Sequence, residues 1–288
     1  MGTTRESGAS STGAAQQAGM FDETRTASTA AAPKDASTVM LVRDAESGVE
    51  VFLLRRVAGM AFAGGMTVFP GGGVDPSDSV ADVRWAGPPL SWWAERFGVD
   101  EPRAKALVCA AVRETFEECG VLLAGPTEDT VVADTSGYAE ARRQLESREL
   151  SFADFLAREN LVLRTDLLRP WANWITPVQE GRRYDTRFFV AVLPEGQQAD
   201  GETSEAAEVA WRTPAAAVDD WRAKRSILLP PTWRQLATLG QFDSVDAILA
   251  AEQEISPILP ELSFVDGKPR VSFPGDAGYY DTGALPWG

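Results

Sequence analysis

Histidine is absent from this 288-residue chain, and cysteine occurs only twice. Without imidazole there is no serine-histidine-aspartate or cysteine-histidine scheme and no histidine-bound zinc, so any general base must be sought among carboxylates. Cys109 and Cys119 stand ten positions apart. On one helix that is about 15 Å of axis, beyond disulfide reach, so both are expected as reduced core thiols. No apolar run approaches the ~20 residues that cross a bilayer, and the N-terminus lacks the basic-then-apolar plan of a signal peptide. The C-terminal Leu285-Pro286-Trp287-Gly288 does not read as a Ser-Lys-Leu address. The expectation is a cytoplasmic protein with no membrane partner. Positive charge is scarce as well: 27 lysines and arginines against 42 acids leave a net charge of −15. That disfavours nucleic acid as a partner, and it repels a small phosphate ester unless metal ions or arginines supply positive charge locally.

What is present can build a core, since 44% of the residues are hydrophobic. Residues 1–36 are rich in Ser, Thr, Ala and Gly without apolar period and read as a disordered tail, with Met20 as an alternative start. Strands are predicted at about 37–43, 50–56 and 66–69, with Pro70 to Gly73 as a backbone hinge. A long helix is predicted over Glu101 to Cys119, stopped by Gly120. Two short helices follow at 138–147 and 152–159, then paired strands at 167–176 and 186–193, a polar loop at 195–204, a strand at 208–211 and a helix at 214–224. Pro230-Pro231 opens a helical stretch to about Glu254. The last thirty residues, with four prolines, read as irregular surface chain.

The long helix carries the chemistry. Glu114, Glu117 and Glu118 fall at i, i+3 and i+4, so they rise from one arc, while Val108, Val112, Thr115, Phe116 and Cys119 occupy the other. Like charges so spaced cost an isolated helix roughly 0.2–0.5 kcal/mol per pair, which a bound cation would relieve. Oxygen-only donors favour hard divalent ions, with Mg²⁺ or Mn²⁺ the best match. A solvated acidic face is the competing reading of the same cluster.

Arg113-Glu114-Thr115-Phe116-Glu117-Glu118-Cys119-Gly120-Val121 resembles the second half of the Nudix box, and Phe69-Pro70-Gly71-Gly72 resembles the entry to it. The halves are separated. In the usual box the arginine lies fourteen residues after the glycine, which from Gly72 would be position 86, and 113 less 86 leaves an insertion of 27 residues. The first glutamate of the box is missing: Asp78 stands there counting forward, Lys105 counting back. An insertion at this place, holding Trp92-Trp93, is similar to the peroxisomal coenzyme A diphosphatase-like branch and its bacterial relatives. Val51 to Arg56, Gly65 to Gly72, Trp174 to Pro177 and Arg182 to Phe189 resemble further segments of that branch, although Met60 replaces an expected arginine.

The resemblance implies an α/β fold, a Nudix α/β/α sandwich with a mixed β-sheet, a helical insertion within the box and a C-terminal helical extension. The implied organisation is a tail at 1–36, a Nudix domain at 37–229 with its insertion at about 75–101, and the extension at 230–288. It implies a metal-dependent diphosphatase whose partner is a small-molecule diphosphate, most closely coenzyme A or an acyl thioester of it. ADP-ribose, NADH or a nucleotide sugar is the alternative substrate, and a nucleotide sensor that does not cleave is the alternative of another class. Glu117 and Glu118, with the Gly71 carbonyl and Glu205, would hold Mg²⁺ or Mn²⁺; Glu208 is the rival of Glu205. Glu114 would be base or metal bridge, and Arg113 would orient the glutamates. Arg55, Arg56, Arg182 and Arg183 would bind substrate. Trp92-Trp93 would either shape the acyl side or merely pack. The family admits homodimers, but no sequence feature fixes an interface.

Overall fold

Two strands rich in β-branched and long apolar residues, β1 (Lys34–Ala45) and β2 (Gly48–Arg56), start the fold, joined by a turn at Glu46-Ser47. They come from a computed structural model that describes residues 29–60, 63–80, 82–266, 268–280 and 285–286. Met20 and most of the expected tail lie outside these residues, and β1 begins at Lys34 rather than Ser37, so the tail reading fails for its last three positions. β1 pairs antiparallel with β2 and parallel with β9 (Tyr184–Val192). β9 pairs antiparallel with β8 (Leu168–Ile175), and β10 (Ala206–Arg212) closes the other edge on β2. The mixed sheet runs β10-β2-β1-β9-β8-β11, where β11 is Pro257–Ile258. Short strands β3 (Thr67–Val68) and β4 (Gly71–Gly73) attach to β2 and β1.

Helices cover both faces, as alternation in strands buried on both sides requires. On one face lies α3 (Glu101–Cys119), capped at its start by the Asp100 side chain and at its end by Gly120 in the left-handed conformation, φ 72°. Its apolar arc packs with Val39, Leu41, Phe52, Phe189 and Ala191. The Ser37 hydroxyl donates to the Leu107 carbonyl at 2.6 Å and pins helix to sheet. α4 (Ala139–Glu146) and α5 (Phe152–Arg158) join this layer, with Phe155 stacked on Phe116. On the other face α6 (Pro214–Arg222), α7 (Pro230–Leu239) and α8 (Val245–Ala250) pack with Met40, Val42, Val51, Trp171 and Trp174.

The helical stretch expected from Pro230 to about Glu254 consists of two helices and ends at Ala250. α7 ends at Gly240, and α8 is capped afresh by the Ser244 side chain, so the apolar stripe changes direction. The C-terminal stretch read as irregular contains a hairpin of β12 (Glu261–Val265) and β13 (Lys268–Ser272). Its aromatics are structural: Phe273 and Tyr279 pack on Trp233, and Tyr279 stacks on Trp221.

Between the halves of the box lie α1 (Pro76–Val80), β5 (Trp85–Ala86) and α2 (Leu90–Phe97), and β5 joins β7 (Val162–Arg164) and β6 (Ala124–Gly125) in a small separate sheet. Trp93 is fully buried and, with Phe97, packs on Phe189; Trp92 sits edge-on against it at 4.8 Å. The tryptophan pair fastens the inserted segment to the sheet. Cys109 and Cys119 are free and buried, and burial pushes both thiols up to about 12. Among the described residues no helix is long and apolar enough to cross a membrane.

Candidate active site

The last turns of α3 present Arg113, Glu114, Glu117 and Glu118 to β4, which β1 holds by the pairs Thr38–Gly71, Ser37–Gly72 and Ala36–Gly73. Gly72 faces the helix closely. A Cβ there would lie 2.5 Å from the Glu114 carboxyl carbon and displace that carboxylate, and one at Gly71 would lie 2.4 Å from the Ser37 carbonyl, where backbone leaves no room for it. Gly71 joins the site through its N–H, which donates to Glu118 Oε2 at 2.7 Å.

Two guanidiniums divide the carboxylates between them. Arg113 Nη1 donates to Glu114 Oε1 at 2.7 Å and, more loosely, to Glu117 Oε1 at 3.3 Å. Arg56, from the end of β2, donates to Glu118 Oε1 at 3.4 Å and to Glu205. Arg56, expected to bind substrate, borders the cavity and also partners two acids. Glu205 reaches the cluster from the loop before β10, whereas Glu208 points elsewhere and forms an exposed ion pair with Arg55 at 2.8 Å.

The position read as lacking its acid is filled. Asp78, on α1, takes Arg113 Nε on Oδ1 at 3.1 Å and Nη2 on Oδ2 at 2.9 Å. Arg113 Nη2 also donates to the Gly73 carbonyl at 2.9 Å. Asp78 lies numerically inside the expected insertion, but it works with the box. The count of six from Gly72 had pointed to it; only its residue type argued against. A side chain one methylene shorter than glutamate serves because α1 packs directly on α3.

Burial dominates the electrostatics. It pushes the Glu117 carboxyl up to about 7, helped by the neighbouring Glu114 charge and opposed by Arg113. Burial, with the Glu114 charge, holds Glu118 well above the usual carboxylate range despite Arg56 and the Gly71 N–H. Glu114 and Asp78 are raised for the same first reason. Arg113, surrounded by these acids, is held firmly protonated.

Glu114, Glu117, Glu118, Glu205, Arg56 and Arg113 all border one cavity of about 980 Å³. Arg182 and Lys34 border it too, but Arg55 and Arg183 do not. Arg183 is 8% exposed and spends its guanidinium on the Thr176 and Ala31 carbonyls, so it braces backbone instead of facing a ligand. Apolar residues line the cavity as well, among them Trp174, Pro177, Leu229, Pro230 and Val271.

Among the described residues no three acid or thiol side chains are already drawn together as a cation cage. The donor set nevertheless fits a hard divalent ion: the donors are carboxylate oxygens, and burial with mutual repulsion has raised three of them. A cation would relieve that repulsion.

α4 holds the periphery of the site. Arg142 Nε donates to the Glu117 carbonyl at 2.9 Å and its Nη1 pairs with Asp200 at 2.7 Å. Glu146 accepts from Thr203 Oγ1, Ser204 N and Ser204 Oγ. Reasoning from sequence passed over these residues, because α4 reads as an ordinary charged surface helix.

Residues 85–239 match the family described as the NUDT19 Nudix domain. The acyl-coenzyme A diphosphatase NUDT19 of Xenopus laevis is 26% identical over 237 residues, covering 70% of this chain and 62% of that protein. Its Homo sapiens counterpart is 27% identical over 239 residues, covering 69% and 62%. The chain therefore spans about six tenths of the length of these curated relatives. A NUDIX hydrolase from Alicyclobacillus acidocaldarius superposes with a TM-score of 0.63 at 23% identity, over 77% of this chain and 98% of that one. The mixed sheet between two helical layers is thus the fold of that hydrolase.

Proposed function

We propose that this chain, which belongs to the NUDT19 Nudix domain family, hydrolyses a diphosphate linkage in coenzyme A or acyl-coenzyme A. The products would be adenosine 3′,5′-bisphosphate and (acyl-)phosphopantetheine. The observation that carries this reading is the convergence of Glu114, Glu117, Glu118 and Glu205 on one cavity, shared out between Arg56 and Arg113. A structural acidic patch would face solvent; Glu114, Glu117 and Glu118 are instead largely withdrawn from it, and burial raises all three.

Glu114, Glu117, Glu118 and Glu205 would hold Mg²⁺ or Mn²⁺. Such an ion, when bound, neutralises diphosphate charge and makes an attacking water more acidic. Arg113 fixes the rotamers of Glu114 and Glu117, and Asp78 in turn fixes Arg113, so the acids are preorganised before substrate arrives. Glu118 is anchored by the Gly71 N–H and Arg56. Glu117, tethered only by two loose contacts of 3.3 and 3.4 Å from Arg113, is the acid freest to accept a proton in the reaction. The apolar lining supplies room for a pantetheine or acyl portion.

The test is turnover by the purified protein with Mg²⁺ or Mn²⁺ across coenzyme A, acyl-coenzyme A, ADP-ribose, NADH and nucleotide sugars. Cleavage of coenzyme A with release of the bisphosphate is the expected result. Tight binding across the panel with no turnover would overturn the enzyme reading, and cleavage of ADP-ribose but not coenzyme A would overturn the substrate.

A further inference from the structure

We infer that the end of the cavity built around Lys34 and Arg182 holds a second anionic group of the substrate, a phosphomonoester on its nucleoside half. This deepens the diphosphatase reading and rests on it. Strand parity makes the floor of the cavity continuous: Lys34, Ala36 and Thr38 of β1 border it, as do their parallel partners Tyr184, Thr186 and Phe188 of β9. Thr38 sits opposite Gly71, whose N–H holds Glu118. Lys34 lies four residues further along β1, about 13 Å at 3.3 Å per residue, and the long lysine and arginine side chains can reach back over part of that span. Arg182 extends the row on the β9 side.

This corner is cross-braced. The Lys34 N–H donates to the Arg183 carbonyl at 2.9 Å, and buried Arg183 grips Thr176 and Ala31. Among the described residues Lys34 and Arg182 take part in no ion pair, although acids outnumber bases in the chain. Asp35, between them and the helix, is engaged by Arg103 at 2.6 Å. Glu180 lines the same end and tempers its charge. The third rim cation, Arg148, instead adds a minor attraction to Asp75, whose carboxyl is held low chiefly by the Ser77 N–H and hydroxyl. Two cations on a braced backbone match a phosphomonoester dianion, which offers several acceptor oxygens to both. Tyr184 and Thr186, between this corner and the glutamates, give a base and ribose a ring face and a hydroxyl. The apolar lining at Leu229, Pro230 and Val271 is left for the other half of the ligand.

The experiment compares adenosine 3′,5′-bisphosphate with adenosine 5′-monophosphate by titration calorimetry, on the wild-type protein and on the double variant Lys34→Gln, Arg182→Gln. Both side chains are exposed, so an unchanged melting temperature is expected and is measured alongside. The bisphosphate should bind the wild type about tenfold or more tightly than the monophosphate, and the double variant should lose that advantage while holding the monophosphate as before. Equal binding of the two nucleotides by the wild type, binding of neither, or an advantage that survives in the double variant overturns the inference. Turnover of coenzyme A and of its 3′-dephospho form, measured in parallel, bears separately on the reaction: no cleavage of either sinks the diphosphatase reading whatever the binding shows.

Discussion

Asp78 and Arg113, thirty-five positions apart, meet as a two-bond fork, Nε to Oδ1 at 3.1 Å and Nη2 to Oδ2 at 2.9 Å. The fork joins the two halves of a box that the chain interrupts. Because both groups are buried, removing one leaves the other charge without its partner. Asp78→Ala should therefore cost roughly 3–5 kcal/mol of folding stability, read as a lowered urea midpoint. Arg113→Lys keeps the charge but cannot span Asp78, Glu114 and the Gly73 carbonyl together, so diphosphatase activity should fall with the protein still folded. Wild-type activity in Arg113→Lys would contradict the orienting role.

Much of this was legible in the sequence, and the limits have physical causes. α3 was placed at both ends, from Glu101 to the close at Gly120, because a glycine cap is local chemistry; the Asp100 side-chain cap emerges only in the structure. The glutamate arc followed from helical period alone. Asp78 was reached by counting but discounted by type, since the separation of two backbones decides whether a shorter acid can reach, and separation is a tertiary quantity. Arg56 borders the cavity, and its further pairing with Glu118 and Glu205 was not legible for a similar reason: nothing local shows which acids an arginine meets across the fold. The hairpin of β12 and β13 escaped notice because prolines masked its alternation and most of its side chains are exposed.

The raised acids predict how metal binding responds to pH. Glu117 titrates near 7 in the folded chain against an ordinary value of 4.5, so between those values the folded state binds more protons than the unfolded. Stability of the metal-free protein therefore falls as pH rises through that window. Glu118 acts in the same direction. A divalent ion competes with these protons. Its stabilising effect should be small near pH 5 and grow to several degrees of melting temperature near pH 8. A thermal shift with Mn²⁺ that shrinks as pH rises would contradict metal binding by these acids.

Glu118→Gln separates function from folding. The amide keeps the shape and removes a charge whose burial is unfavourable, so the metal-free variant should melt at or above the wild-type temperature. Its Mn²⁺-dependent shift should shrink. Activity should drop by more than the ~10–100-fold typical of losing a group that only supports a metal ligand.

Trp93 tests the inserted segment. Its ring is fully buried against Phe97 and Phe189, and neither Trp92 nor Trp93 borders the cavity. Trp93→Ala should destabilise the fold by about 3–5 kcal/mol and leave the ranking of substrates unchanged. A changed preference among acyl chains, measured as kcat/KM at a temperature where the variant is folded, would return the tryptophan pair to the substrate site.

Glu146 tests whether α4 sets the fourth acid. Its Oε1 gathers the Thr203 hydroxyl at 3.1 Å, the Ser204 N–H at 2.9 Å and the Ser204 hydroxyl at 2.6 Å, immediately before Glu205 in the chain. Three donors on one oxygen outweigh its partial burial and hold this carboxyl below the usual range. Arg142 clamps the start of the same loop through Asp200 and the end of α3 through the Glu117 carbonyl, so one helix registers Glu205 against Glu117. Glu146→Ala removes one clamp without touching the cluster itself. Mn²⁺ affinity should weaken by roughly tenfold, the scale of losing a supporting contact, with kcat at saturating metal changed far less. Glu146→Gln keeps a carbonyl oxygen that can accept the same donors and should recover most of the affinity. If Glu146→Ala and wild type bind Mn²⁺ equally, Glu205 either finds its place without the clamp or stands outside the metal site.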